Sequence, residues 1–342
     1  MEYRSLGRTG VPVSVLALGS MNFGRETPAA ESIRIIHGAL DGGINFVDTA
    51  NVYSRGVSEE IVGKALEGRR DQVVLATKVH GRMSDDEPLA YGNSRRHIIE
   101  QCEASLRRLD TDYIDLFQIH RPQSDIPIDE TLRALDDLIR AGKVRYIGSS
   151  SFAAWQVVES LWVSKELGLN RFVTEQAPYH LLDRTIEREL IPVAQTYGIG
   201  ILPWSPLARG FLAGKYRRSQ GIPEGSRLAR DAGKPGFFGP RTLQHFGEDA
   251  FRVQDVVDAL AQEKGCTSAQ LALAWLIHQP GVTSPIVGPR TVDHLEDTLG
   301  AVTVAISDDD RALLDEAVAP EQTIASYYNG DAMDFGPSRY RW

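Results

Sequence analysis

The chain is poor in cysteine: 342 residues contain only Cys102 and Cys266. Two isolated thiols build no disulfide framework and lack the paired spacing of a zinc site, which points to a reducing, cytoplasmic setting. No apolar run approaches the ~18 residues a membrane-spanning helix needs. The opening MEYRSLGRTG carries charge where a secretory leader has its apolar stretch. Neither a membrane nor export is expected. Positive charge is also scarce: the formal net charge is −9, and basic residues form no block beyond short clusters such as Arg107–Arg108 and Arg217–Arg218. Such a surface repels phosphate backbones, so nucleic acid is not an expected partner. No GxGxxG follows an apolar run, so a Rossmann dinucleotide site is unsupported. The stretch from Gly210 to Lys215 (GFLAGK) approaches a phosphate loop but has three residues between its glycines, and Tyr216 follows the lysine where Ser or Thr is required.

What the chain does have is alternation. Short apolar runs at 13–18, 44–48, 73–78, 113–119, 144–149, 172–176, 199–205 and 283–287 read as eight strands. Most are continuous rather than alternating, which suits parallel strands buried on both faces. Helical patterns lie between them. Ile98, Cys102, Leu106 and Leu109 form one apolar face in 94–109. Leu132, Leu135 and Ile139 do the same in 129–141, behind Asp129 as the expected N-cap, and Thr267 with Gln270 predicts a capping box opening 268–278. The expected fold is a single (β/α)8 TIM barrel over 1–342, preceded by an N-terminal β-hairpin; a doubly wound open sheet is the rival. Residues 209–250 lack a period and predict a long functional loop after the seventh strand. Residues 320–342 form an aromatic tail (Tyr327, Tyr328, Phe335, Tyr340, Trp342), which either packs on the barrel or walls a pocket.

Four polar residues stand at or just beyond the ends of separate strands: Asp48, Tyr53, Lys78 and His120. In parallel α/β folds, ligand sites lie at that carboxyl edge. Metal chemistry on Asp48 and His120 lacks a third ligand at telling spacing. General acid–base work fits the residue types better. A free tyrosine titrates near pH ~10; a neighbouring ammonium favours its phenolate, and a carboxylate keeps that ammonium charged and oriented. His120 then has a substrate oxygen to hydrogen-bond.

The words around these residues resemble the aldo-keto reductase superfamily, on the bacterial and potassium-channel β-subunit-like branches. They are GGINFVDTANVYSRGVSEEIVGKAL (42–66), LATKV (75–79), LDTDYIDLFQIHRP (109–122), GKVRYIGSSSF (142–152), EQAPYHLLDR (175–184), PWSPLARGFLAGKY (203–216) and PIVGPRTVDHLEDTLGA (285–301). The resemblance implies an NADP(H)-dependent oxidoreductase that interconverts a small-molecule aldehyde or ketone and its alcohol, NAD(H) being the alternative cofactor. By it Tyr53 is the proton donor, Asp48 and Lys78 tune it, and His120 orients the carbonyl. Ser150, Ser151 and Gln176 match the carboxamide-binding set, and Trp204 the aromatic that stacks on the nicotinamide. Ser205, Pro206, Leu207, Gly210 and Lys215 would line the pyrophosphate, with Ser20, Met21 and Asp48 nearby and Arg227 at the adenosine end. Gly288 and Arg290 precede an expected helix N-terminus at 291, whose N–H groups favour phosphate, and Arg290 has the charge for a 2′-phosphate. His294 departs from the Gln or Arg usual there, with Asp297 and Thr298 after it. Substrate-pocket candidates are Met21, Asn22, Phe23, Tyr53, Tyr91, His120 and Arg121. The same resemblance leaves a second reading open: a cofactor-binding regulatory subunit with residual reductase activity. Nothing in the sequence decides a homo-oligomeric state.

Overall fold

The computed structural model describes residues 1–87, 89–218, 223–224, 226, 229 and 246–325. Strands β1 (Tyr3–Ser5) and β2 (Pro12–Ser14) form the antiparallel hairpin, Tyr3 opposite Ser14. Eight parallel strands follow: β3 (Ala17–Gly19), β4 (Phe46–Asp48), β5 (Val74–Val79), β6 (Ile114–Ile119), β7 (Val144–Ser150), β8 (Phe172–Gln176), β9 (Gly200–Ile201) and β10 (Ile286–Val287). Their order is β10-β3-β4-β5-β6-β7-β8-β9. The ring closes between its ends: Ile201 bridges to Val282, the Thr283 N–H donates to the Ile201 carbonyl at 2.8 Å, and the Ile286 N–H to that of Pro203 at 2.8 Å. The fold is the expected (β/α)8 barrel, not an open sheet.

The first expected strand splits. Residues 13–14 belong to the hairpin and 17–19 to the barrel, because Ser14 turns its hydroxyl back onto the Leu16 carbonyl (2.6 Å) and gives its N–H to Asn45 Oδ1 (2.7 Å). The strands expected at 199–205 and 283–287 pair over two residues each; beyond them Trp204 makes a single bridge to Pro178, on the β8 side.

Helices α1 (Ala29–Asp41), α2 (Val57–Ala65), α3 (Arg95–Leu109), α4 (Ile128–Arg140), α5 (Ala154–Leu167) and α6 (Leu190–Tyr197) alternate with the strands. Then come α7 (Glu248–Lys264), α8 (Ser268–Ile277), α9 (Val292–Gly300) and α10 (Asp308–Ala317). Ile98, Cys102, Leu106 and Leu109 of α3 are all buried, as their spacing predicts; burying each leucine contributes about 1.5–3 kcal/mol. Burial pushes the Cys102 thiol up to about 12, so it packs as an inert apolar group. Thr267 caps α8 with the expected reciprocal bonds to Gln270. Asp129 is not the cap of α4: Pro127 holds that position at φ −57°, and Asp129 and Glu130 sit in the first turn, where their negative charge suits the positive end of the helix dipole.

The main core lies between sheet and helices. A smaller cluster gathers Ala17, Phe46, Val74, Leu116 and Ile286 with Leu6 and Val13 of the hairpin. Several of these open their strands, so the hairpin plugs the amino-terminal mouth and leaves the carboxyl edge for chemistry.

Candidate active site

β4, β5, β6 and β8 each deliver a polar side chain to the carboxyl end of the barrel. Lys78 of β5 is wholly buried, and its ammonium donates to Asp48 Oδ1 at 2.5 Å, to the Thr49 carbonyl at 2.8 Å and to the Tyr53 hydroxyl at 3.3 Å. Burial disfavours that charge, yet Asp48 and then Tyr53 outweigh it and raise the Lys78 pKa above its ordinary value. The other Asp48 oxygen accepts from Gln118 Nε2 at 3.1 Å and Gln176 Nε2 at 3.0 Å. The carboxylate is therefore held by three donors from three strands.

Tyr53 lies in a short turn after β4 and keeps its ring partly open, edge-on to His120 with centroids 5.7 Å apart. Burial, followed by the charges of Arg121, Lys78 and His80, pushes the His120 imidazole well below its usual range. At neutral pH it is an uncharged ring that can donate one hydrogen bond.

The loops above this cluster store backbone strain. Ser54 and Arg55 after β4, Ser151 after β7, and Ser205, Ala208 and Arg209 after β9 all take positive φ between 47° and 60°. Such left-handed turns by non-glycine residues are uncommon and gather at functional sites. Ser150 donates to the Gln176 carbonyl at 2.9 Å; Ser151, turned the other way, accepts from Arg121 Nη1. The Arg121 guanidinium also lies 5.7 Å from the Trp204 ring centre. The chain then curls through Pro206, which is buried, and Leu207, whose carbonyl accepts from the Gly210 N–H at 2.8 Å. That curl brings the Lys215 stem to within 3.6 Å of where a Cβ on Gly210 would stand.

Across the mouth, Thr291 caps α9 by accepting from the His294 N–H at 3.2 Å, and the helix opens where the sequence predicts. Desolvation, then the charges of Lys215 and Arg290, lowers the His294 pKa. Desolvation and Arg290 do the same to Lys215. Three basic groups thus crowd one rim. Asp297 and Thr298 point elsewhere: Asp297 accepts from Thr267 at 2.9 Å, and Thr298 bonds its own helix at the His294 carbonyl, 2.7 Å. Exposed Gly288 gives its carbonyl to Asn22 Nδ2 at 3.2 Å.

Of the remaining candidates, Ser20 is buried and occupied by Ser58 at 2.8 Å, and Met21 is partly open beside it. Phe23 is fully buried in the main core, so its ring packs there and does not line an open pocket. Tyr91 is exposed in the loop between β5 and α3, edge-on against His80 and under Arg82. Arg227 and the tail aromatics from Tyr327 onward fall outside the described residues, as does most of 219–245.

A family model described as "Aldo/keto reductase family" matches residues 15–319. The chain belongs to that family. An uncharacterized oxidoreductase, YrpG, of Bacillus subtilis (strain 168) is 42% identical over 320 residues, covering 90% of this chain and 92% of its own. A probable voltage-gated potassium channel subunit beta of Oryza sativa subsp. japonica is 37% identical over 311 residues, covering 89% and 92%. A versiconal hemiacetal acetate reductase of Aspergillus parasiticus is 36% identical over 346 residues, covering 94% and 98%. The aldo/keto reductase fold and an oxidoreductase class are thereby established.

Two residues of this aldo/keto reductase escape a motif-based reading. Gln118 lies two positions before His120 on β6 and pairs with Lys78 in register; its period-two spacing was the available signal. Glu175, fully buried beside Gln176, gave none.

Proposed function

We propose that the chain reduces an aldehyde or ketone to an alcohol with NADPH, and oxidises a secondary alcohol with NADP+ at the same site. The observation that carries this reading is the Lys78 ammonium, which bonds Asp48 on one side and the Tyr53 hydroxyl on the other. As Tyr53 gives its proton to the carbonyl oxygen, the adjacent cation stabilises the charge left behind, and Asp48 with Gln118 and Gln176 keeps that cation in place. His120, neutral and edge-on to Tyr53, donates a hydrogen bond to the same oxygen and fixes its approach.

The residues present fit a nicotinamide dinucleotide. Ser150, Ser151 and Gln176 offer the hydroxyl and amide groups that a carboxamide requires, and Trp204 offers a flat face. The left-handed turns at Ser205, Ala208 and Arg209 have the positive φ that anion-binding nests use. Lys215, Arg290 and His294 beside the α9 N-terminus suit a further phosphate, which favours NADPH over NADH. When bound, the reduced nicotinamide supplies the hydride for the carbonyl carbon. For the substrate, Tyr91, Met21 and Arg121 are the proposed lining.

The likeness to a plant protein named as a probable channel β subunit supports a second reading, a cofactor-bound regulatory role. Absorbance of the reduced nicotinamide, followed over a panel of carbonyls and alcohols with each cofactor, separates the two. Turnover of at least one carbonyl class with NADPH is expected; binding of NADPH with no turnover across the panel contradicts the enzyme reading.

A further inference from the structure

We propose that Glu175 is a positioning residue that sets the relative affinity of the site for oxidised and reduced nicotinamide, by switching a negative charge on and off behind Ser150 and Ser151. This rests on the NADP(H) reading above.

Glu175 of β8 is wholly buried and takes no part in the hydrogen bonds that hold Lys78 and Asp48. Its register partner is Ser149, and the next pair up is Ser150 with Gln176. Its carboxyl therefore lies one step below and behind the proposed carboxamide-binding set. Oε1 accepts from the Phe152 N–H at 3.0 Å and Oε2 from Ser149 Oγ at 2.5 Å, so the group spans the turn that carries Ser150 and Ser151. That turn is the strained one, with Ser151 at φ 60°. Arg121 reaches it from the opposite side through Ser151, and is the charged group that faces Glu175; the other groups facing it are Ser149 and the N–H groups of Ser151 and Phe152.

The surrounding hydrogen bonds accept either protonation state. In the ionised form the Ser149 hydroxyl and the Phe152 N–H both donate to the carboxylate. In the neutral form the added proton goes to Ser149 Oγ, and the Ser149 hydroxyl has the Thr174 carbonyl, 3.5 Å away, as its alternative acceptor. Desolvation dominates and lifts the Glu175 pKa to about 8, against the bonds from Ser149, Phe152 and Ser151. The carboxyl is therefore mostly neutral at pH 7 and loses its proton to solvent a little above it.

Oxidised nicotinamide carries a positive ring; reduced nicotinamide does not. A carboxylate behind the proposed carboxamide-binding residues would favour the oxidised form, and by reciprocity the oxidised form would promote ionisation of Glu175. The remaining charges of the dinucleotide are common to both forms and cancel in the ratio of their dissociation constants.

The test is that ratio, Kd(NADP+) over Kd(NADPH), measured by quenching of intrinsic fluorescence from about pH 6 to 9. The full chain should show it falling by about tenfold, the effect of one unit charge at partly buried separation. In Glu175→Gln it should stay constant. Ser149→Ala removes one donor to the carboxylate, and should move the midpoint of the fall to higher pH while leaving its size. A ratio flat in the unaltered chain, or a fall that persists in Glu175→Gln, overturns the proposal. A purely structural Glu175 would weaken both cofactors equally at every pH, which also overturns it. Failure of either nucleotide to bind contradicts the NADP(H) reading itself and is read separately, from the absence of quenching.

Discussion

The Lys78 ammonium donates to the Tyr53 hydroxyl at 3.3 Å while lying 5.0 Å from the centre of its ring. The two residues stand on neighbouring β/α units, β5 and the turn after β4, so the contact depends on the parallel pairing of β4 with β5. It sets the hydroxyl of a partly exposed tyrosine beside a buried cation.

Breaking the ion pair should cost more than losing a surface one. Lys78 and Asp48 are both buried, so Lys78→Ala strands a carboxylate without its counter-charge. A loss of about 3–5 kcal/mol of stability is expected, together with loss of carbonyl reduction. Urea denaturation of Lys78→Ala beside the double variant with Asp48→Asn reads it: the double variant should regain part of the loss. Equal destabilisation of both would show that the pair contributes little.

Arg290→Ala should weaken NADPH binding by about 10- to 100-fold, as expected for a charge-assisted bond to phosphate, and leave NADH binding little changed. Titration with each cofactor checks this. Equal loss for both would remove the 2′-phosphate role.

Gly148 sits where β7 shifts register against β8. A Cβ there would stand 2.2 Å from Thr174 Oγ1 and 3.3 Å from the Gln118 side chain. Gly148→Ala should destabilise by about 1–3 kcal/mol through overpacking. It should also lower kcat by displacing Gln118 from Asp48. Unaltered thermal stability and rate would mean that the barrel interior has room to spare.

The protein's stability should respond to acid through its buried histidines. Burial holds His80 down at about 4 and His180 at about 3, against 6.5 ordinarily, and His120 well below its usual value. The unfolded chain binds more protons than the folded one below 6.5, so this contribution is complete above that pH and is lost as pH falls through the folded values. Glu175 works with the opposite sign. Its raised value, about 8 against 4.5, gives a contribution complete below 4.5 and lost as pH rises through 8. Denaturant midpoints across pH should therefore fall less on the acid side in His80→Asn and less on the alkaline side in Glu175→Gln. Variants that track the unaltered chain at both ends would contradict these assignments.

Much of this was legible in the sequence because parallel strands buried on both faces leave continuous apolar runs. All eight appear where those runs lie. Their extents were harder to read: 13–18 divides because one serine, Ser14, turns its hydroxyl back on the chain, and nothing local marks that. Asp48, Tyr53, Lys78 and His120 stood out as polar groups at the ends of apolar words. Gln118 and Glu175 did not, since a polar residue within a strand acquires meaning only from the register that sets Gln118 beside Lys78 and Glu175 beside Ser149. Phe23 misled for a related reason: proximity to a strand end says nothing about which way a ring turns, and this one turns into the core. The left-handed turns at Ser151 and Ser205 are set by the fold around them, so no residue type announced them.

The central claim, that Tyr53 passes its proton to a carbonyl oxygen, is tested most directly by steady-state reduction of a carbonyl by Tyr53→Phe, with NADPH binding measured in parallel by fluorescence quenching. The ring and its packing on His120 remain, and only the hydroxyl is lost. NADPH should still bind with near-unaltered affinity while kcat falls by about 100-fold or more. Turnover comparable to that of the unaltered chain would contradict the assignment.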